Sequence, residues 1–315
     1  MSTQAKLRRA LLPLLFIAPV FGVNAQTNDT TPAIAGVSNA GAAIELLTSE
    51  REGSEGPLPL ADGSLLFTEA RVQKITRIGA DLSISTFLDD TGGANALAAA
   101  DDGTLFAVLQ QPPRVGVVHP EAQKKILAEG YDGKPFTRPN DIVRASSGDI
   151  YFTDSAQNAT PATGGPSVYR ISAAGEIQRL IDDIERPNGL ILSKDERTLF
   201  VANTLGQHVL AYAINADGTL GERQEFAALA GWNAAEKTSG ADGLAVDDEG
   251  RLYVASNAGI EVFDTDGAAL GVIPLPVKPQ NLAFGGPDKS WLYVVGRGAA
   301  YRFPVLTPGL STRAK

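Results

Sequence analysis

The 315-residue chain has no cysteine, one methionine, two tryptophans and two histidines. Without cysteine, disulfides, thiolate metal sites and a cysteine nucleophile are excluded. The two histidines, His119 in Val118-His119-Pro120 and His208 ahead of Val209, argue against a histidine-rich zinc centre and read as ordinary edge or surface residues. No Gly-x-Ser-x-Gly elbow occurs, so the chain lacks the signature of a serine hydrolase. Positive charge is scarce and scattered, with 27 Lys and Arg against 36 Asp and Glu. Such a balance argues against nucleic acid as a partner. Long amphipathic helical periods are absent too, and the apolar residues fall in short runs.

The first 25 residues read as a secretory signal peptide. Lys6, Arg8 and Arg9 open it, an apolar stretch runs from Ala10 to Gly22, and Val23-Asn24-Ala25 forms a small-residue cleavage pattern before Gln26. Pro13 and Pro19 break the stretch, which is shorter than the roughly 20 residues a spanning helix needs. Export with cleavage after Ala25 is therefore expected, giving a periplasmic or secreted protein without stable membrane association. Loss of the three cations takes the formal charge from −9 to −12. Residues 26–41, dominated by Thr, Asn, Ala and Gly, are expected to form a flexible leader.

What the chain does contain is one unit repeated six times. Each copy has a polar residue, a short apolar run, a turn rich in Gly, Asp and Ser, and a second apolar run, which is the pattern of a strand, a tight turn and a strand. The second runs begin at Leu65, Leu105, Ile150, Leu199, Leu252 and Leu292, giving periods of 40, 45, 49, 53 and 40 residues. A strand repeat of that length indicates a propeller or an array. A third strand follows in every copy and a fourth in five of them. The sixth copy lacks its fourth strand, while Ile44 to Leu47 supplies a spare one at the other end of the chain. The expected fold is all-β, a six-bladed β-propeller over residues 42–306 whose last blade is closed by the N-terminal strand, with a polar C-terminal tail at 307–315. Radial repetition of this kind leaves few open sheet edges.

Ten or eleven residues before each second run stand Glu55, Asn95, Asn140, Asn188, Asp242 and Asn281. All six carry a side-chain oxygen at the start of a first strand, and first strands of a propeller line its central channel. Two carboxylates and four amides offer hard oxygen ligands, which suits calcium at its six to eight positions and also admits magnesium or manganese. The competing reading is that Asn and Asp merely cap turns here, which fits Asn140, Asn188 and Asn281, each close behind a proline. Glu55 has no such turn preference. Two loops, from Ala156 to Pro166 and from Gly231 to Gly240, are longer than hairpins require and are candidates for shaping a pocket.

Glu55-Gly56-Pro57, Arg138-Pro139-Asn140-Asp141, Arg186-Pro187-Asn188-Gly189 and Ala241-Asp242-Gly243-Leu244 resemble, in order and spacing, the motifs of the gluconolactonase and regucalcin (senescence marker protein) family. Gln280-Asn281-Leu282-Ala283-Phe284-Gly285-Gly286 looks like the bacterial gluconolactonases. The resemblance implies one divalent cation, Ca²⁺ first and Mg²⁺, Mn²⁺ or Zn²⁺ as alternatives, held by Glu55, Asn188 and Asp242 with Asn140 facing it. It implies Arg138 and Asn140 as substrate-binding residues and a small-molecule lactone or ester as substrate. The chemistry it implies is hydrolysis: the cation polarises the lactone carbonyl and acidifies a water, Asp242 or a neighbour takes its proton, and Asn140 and Arg138 donate to the oxyanion. The chain departs from the family at Leu58-Pro59-Leu60, where relatives place an aromatic residue. Two other functions remain open at this point: a binding platform with a structural calcium, and a phosphotriesterase-type hydrolase.

Overall fold

A computed structural model describes residues 29–156, 159–160 and 162–312. The expected signal peptide at 1–25 lies outside the described residues, as do 26–28 and 313–315.

Six four-stranded antiparallel sheets follow one another along the chain, and their innermost strands are neighbours in a closed ring. Those innermost strands are Glu55–Pro59, Ala94–Ala99, Pro139–Arg144, Pro187–Leu192, Leu244–Val246 and Asn281–Gly285. Second strands such as Leu65–Glu69 and Leu252–Ser256 are buried along their full length, whereas an outer strand such as Ile84–Leu88 is largely exposed. That gradient explains why the inner strands read as unbroken apolar runs and the outer ones as mixed sequence. Turns between first and second strands are set by short acidic side chains. Asp62 Oδ1 accepts the Ser64 amide at 3.0 Å and Asp102 Oδ1 the Thr104 amide at 2.9 Å. The core lies between blades, where Val143 and Tyr151 of the third pack with Leu190 and Val201 of the fourth and Leu244 and Val254 of the fifth.

The ring closes as the missing sixth-blade strand requires. Glu45–Thr48 pairs antiparallel with Ala299–Pro304, Glu45 opposite Arg302 and Leu46 opposite Tyr301. Arg302 Nε donates to Glu45 Oε2 at 2.7 Å while its guanidinium lies over the Trp291 ring, 4.3 Å from the centroid.

Two expected boundaries are corrected. From residue 29 the chain is packed rather than a flexible leader: the Thr31 amide donates to Ala42 O at 2.9 Å, Ile34 is 6 % exposed and Val37 fully buried. Both pack with Ile44, Tyr301 and Phe303 on the closing blade. Average composition hides two apolar residues three apart, and these suffice to seat a segment of otherwise small polar residues. The tail is likewise seated as far as Leu310, which is buried, and Gly309 bridges Asp247. Among the described residues no helix is long and apolar enough to cross a membrane.

Candidate active site at the channel mouth

In blades one to four the ladder between the first two strands slips at the polar residue, between Glu55 and Leu58, Ala94 and Ala96, Pro139 and Ile142, and Pro187 and Leu190. Such a bulge takes a side chain out of the alternation and re-aims it. Here it brings Glu55, Asn95, Asn140 and Asn188 to one cavity of about 570 Å³ at the end of the channel, joined by Asp242 just ahead of its strand. Asn281 is the exception among the six. Its ladder is regular, with Asn281 opposite Val295, and its side chain is buried, donating through Nδ2 to Glu55 Oε2 at 3.2 Å. Gln280 takes its place on the wall and donates to Glu55 Oε1 at 3.0 Å.

Each blade holds the next around this ring. The hydroxyl of Thr68 donates to Asn95 O at 2.8 Å, Asn95 Nδ2 to Asn140 O at 2.7 Å and the hydroxyl of Thr153 to Asn188 O at 2.7 Å. The hydroxyl of Thr204 then donates to Ala241 O at 2.8 Å and the Gly243 amide to Gln280 O at 2.7 Å. A buried carboxylate and a half-buried amide at the ends of second strands fix the backbone just before the site. Asp154 accepts the amides of Thr137 and Arg138 at 2.8 and 2.7 Å, and Asn203 Oδ1 accepts that of Arg186 at 3.2 Å. Burial raises the Asp154 pKa against the lowering effect of those amides.

The glycines behind Asn188 and Asp242 let innermost strands meet near the axis. A Cβ on Gly189 would stand 2.1 Å from the Asp242 carbonyl oxygen, and one on Gly243 2.2 Å from Asn281 Oδ1. Gly189→Ala therefore has to push the two strands apart beside the ring. It should cost about 2 kcal/mol or more, as forced overpacking does, read as a lower urea midpoint; an unchanged midpoint would show that the strands part freely.

Immediately around Asp242, carboxylates crowd together in a way that asks for a cation. Burial, then the Glu55 carboxylate, then that of Asp141 push the Asp242 pKa well above the carboxylate range, with Lys278 and Arg186 offsetting part of this. Asp141 is fully buried beneath the ring, accepting the Ile142 amide at 2.9 Å and the Leu190 amide at 3.2 Å. Asn188 donates through Nδ2 to the Thr204 hydroxyl at 2.9 Å, while its buried Oδ1 has no hydrogen-bond partner. A buried acceptor without a donor costs about 1 to 3 kcal/mol. Two clustered carboxylates and an orphaned amide oxygen fit a hard divalent ion with oxygen ligands. Glu55, Asn188 and Asp242 would hold it, with Asn140 alongside.

Several wall residues were not singled out by the repeat. Gln110, Gln280, Arg51, Arg71, Arg186 and Arg297 all reach the cavity. For Arg186 a signal existed, since Arg186-Pro187-Asn188 parallels Arg138-Pro139-Asn140 in register. The described residues of the two long loops do not line this cavity, and 157, 158 and 161 of the first lie outside the described residues. Neither histidine lines it: His119 packs on Phe87 at 5.1 Å between ring centroids, and His208 faces Glu225.

The chain is 27 % identical over 282 residues to a gluconolactonase of Zymomonas mobilis, covering 81 % of this chain and 79 % of that one. Its fold matches a gluconolactonase structure from Xanthomonas campestris with a TM-score of 0.78 and 29 % identity, over 88 % of this chain and 95 % of the other. It also matches regucalcin, a calcium-binding protein of Agrobacterium tumefaciens, with a TM-score of 0.70 and 20 % identity, over 85 and 96 % of the two chains; at that identity the likeness is of fold. The family model for the SMP-30/gluconolactonase/LRE-like region matches residues 53–297, a span that takes in every residue of the ring, and the chain belongs to that family.

Proposed function

We propose that the protein is a metal-dependent lactonase that opens a sugar lactone at the channel mouth. One observation carries the reading: the orphaned Oδ1 of Asn188 lies in the same cavity as the two carboxylates Glu55 and Asp242, beside Arg138 and Asn140. The lactonases among its relatives support the same chemistry. A divalent cation in this donor set, with calcium as the leading candidate, supplies electrophilic stabilisation of a carbonyl oxygen and acidifies water.

The rest is done by the chain's own groups. Asp242, buried between the Glu55 and Asp141 carboxylates, is placed to accept the proton of the attacking water. Arg138 and Asn140 are placed to donate to the oxygen on which negative charge develops. Both are held before they are needed, Arg138 through the carboxylate of Asp154 on its backbone amide and Asn140 through Asn95 on its carbonyl. Hydrolysis of an activated ester needs no strong acid at the leaving oxygen, consistent with a wall without histidine.

The test is proton release from glucono-1,5-lactone before and after exhaustive chelation. Activity should fall at least about 100-fold, the lower end of what preorganised electrostatic stabilisation contributes, and return when one of calcium, magnesium, manganese or zinc is added back. Full activity in folded protein stripped of metal would overturn the metal-dependent reading.

A further inference from the structure

The chain is acidic, yet the wall of its channel mouth is not. Five guanidinium groups, those of Arg51, Arg71, Arg138, Arg186 and Arg297, line the cavity against three carboxylates, Glu52, Glu55 and Asp242. A divalent ion held by Glu55 and Asp242 would cancel two of those three negative charges, leaving the cationic excess larger. Among the described residues, Arg51, Arg71, Arg186, Arg297 and the nearby Lys278 make no ion pair with any carboxylate. Several arginines elsewhere are matched to acids, as in Arg170 with Asp149 at 2.7 Å and Arg251 with Asp247 at 2.7 Å. Arg51 is committed to the Thr48 hydroxyl at 2.9 Å, and Lys278 to Asn257 Oδ1.

Arg186 is the informative member. It is half-buried, and its Nε is enclosed without any hydrogen-bond partner. Arg138 lines the same cavity, so two guanidinium groups face one space beside the proposed ion site. A cation in that position is stabilised by a bound anion, and a guanidinium pair matches the planar oxygens of a carboxylate or the face of a phosphate. A neutral polyhydroxy lactone supplies only hydroxyl dipoles and would leave this excess unanswered.

Resting on the lactonase reading, we propose that the substrate is a lactone carrying a second, anionic substituent, a carboxylate or a phosphate, which Arg186 binds together with Arg138 from the arginine-lined side of the cavity. The reaction is then hydrolysis of an anionic lactone. Water adds to the carbonyl carbon, the bond from that carbon to the ring oxygen breaks, and the ring oxygen leaves as a hydroxyl with one proton. The new carboxyl group releases the other, so the product carries one more negative charge than the substrate.

The experiment compares kcat/KM of the metal-loaded protein on glucono-1,5-lactone, on 6-phosphoglucono-1,5-lactone and on a glucarolactone, which separates phosphate from carboxylate. At least one anionic lactone should exceed the neutral one by about tenfold or more, through KM, with the margin shrinking as salt is raised. Arg186→Gln should cut the anionic-to-neutral ratio by about tenfold, Arg186→Lys should keep part of it, and Arg71→Gln at the exposed rim should cut it less. A neutral lactone used as well as the anionic ones, or a ratio indifferent to Arg186→Gln in folded protein, would overturn the proposal and leave the lactonase reading standing. If no lactone is opened, the lactonase reading falls, and calorimetry with 6-phosphogluconate against gluconate decides the anion site alone. Preferential binding of 6-phosphogluconate that Arg186→Gln abolishes supports the site, and equal binding of the two sinks it.

Discussion

Asp242→Asn should reduce lactone hydrolysis by about 10³-fold or more, since it removes a proton acceptor worth roughly 10² to 10⁴ together with one of two carboxylates in the proposed ion site. The same substitution should stabilise the metal-free protein. Asp242 sits where its charged form is disfavoured by burial and by the Glu55 and Asp141 carboxylates, so its pKa in the folded state lies well above the value in the unfolded chain. The folded state therefore binds the proton more tightly. Stability from this group is fully present below the unfolded pKa near 4 and is lost as pH rises through the raised folded value. At neutral pH the metal-free wild type carries this strain, and an isosteric amide does not.

Two melting curves make that separable from general damage. Without metal at neutral pH, Asp242→Asn should melt above the wild type by a few degrees, since about 1 kcal/mol moves the midpoint of a domain near this size by roughly 2 to 4 °C. With metal the order should reverse. Wild type gains about 2.7 kcal/mol at an ion concentration one hundred times Kd, and the variant, short of a ligand, gains much less. A variant that melts lower without metal, or that responds to metal as wild type does, would show that Asp242 is neither the strained group nor a ligand.

The ring was legible in the sequence because a repeat puts equivalent residues at equivalent places, and Glu55, Asn95, Asn140, Asn188 and Asp242 do meet. What sequence register does not carry is the local ladder. Asn281 occupies the same repeat position, yet its strand has no bulge, so its side chain turns to support Glu55 and leaves the wall to Gln280. Three rim arginines escaped for a different reason. Arg51 precedes the first blade, Arg71 lies in the short helical turn Ala70–Val72, and Arg297 sits in the turn after Trp291–Gly296. None has a counterpart in the other copies, so superimposing the repeats cannot reveal them. The seated segment before Glu45 escaped because two apolar residues in a polar stretch leave no period to read.

That segment carries the second large effect. A chain beginning at Ser49 should fail to unfold as one cooperative unit and should associate. It loses Glu45–Thr48, which covers the edge Ala299–Pro304, and it loses Ile34, Val37 and Ile44, all buried on the closing blade. At about 1.5 to 3 kcal/mol for each fully buried aliphatic side chain the deficit is roughly 5 to 9 kcal/mol, within the range of total stability for a domain. An uncovered strand with Tyr301 and Phe303 beside it also invites pairing with a second copy. Val37→Asp is the milder version, placing a charge where the side chain is fully enclosed, and should cost about 3 kcal/mol or more. The cause can be tested by adding a peptide of residues 29–48 to the shortened chain. If the segment acts by closing the last blade, the peptide should restore a single cooperative melt with a midpoint that climbs with its concentration. A shortened chain that is already monomeric and melts like the full one would show that five complete blades and a three-stranded sixth hold the ring unaided.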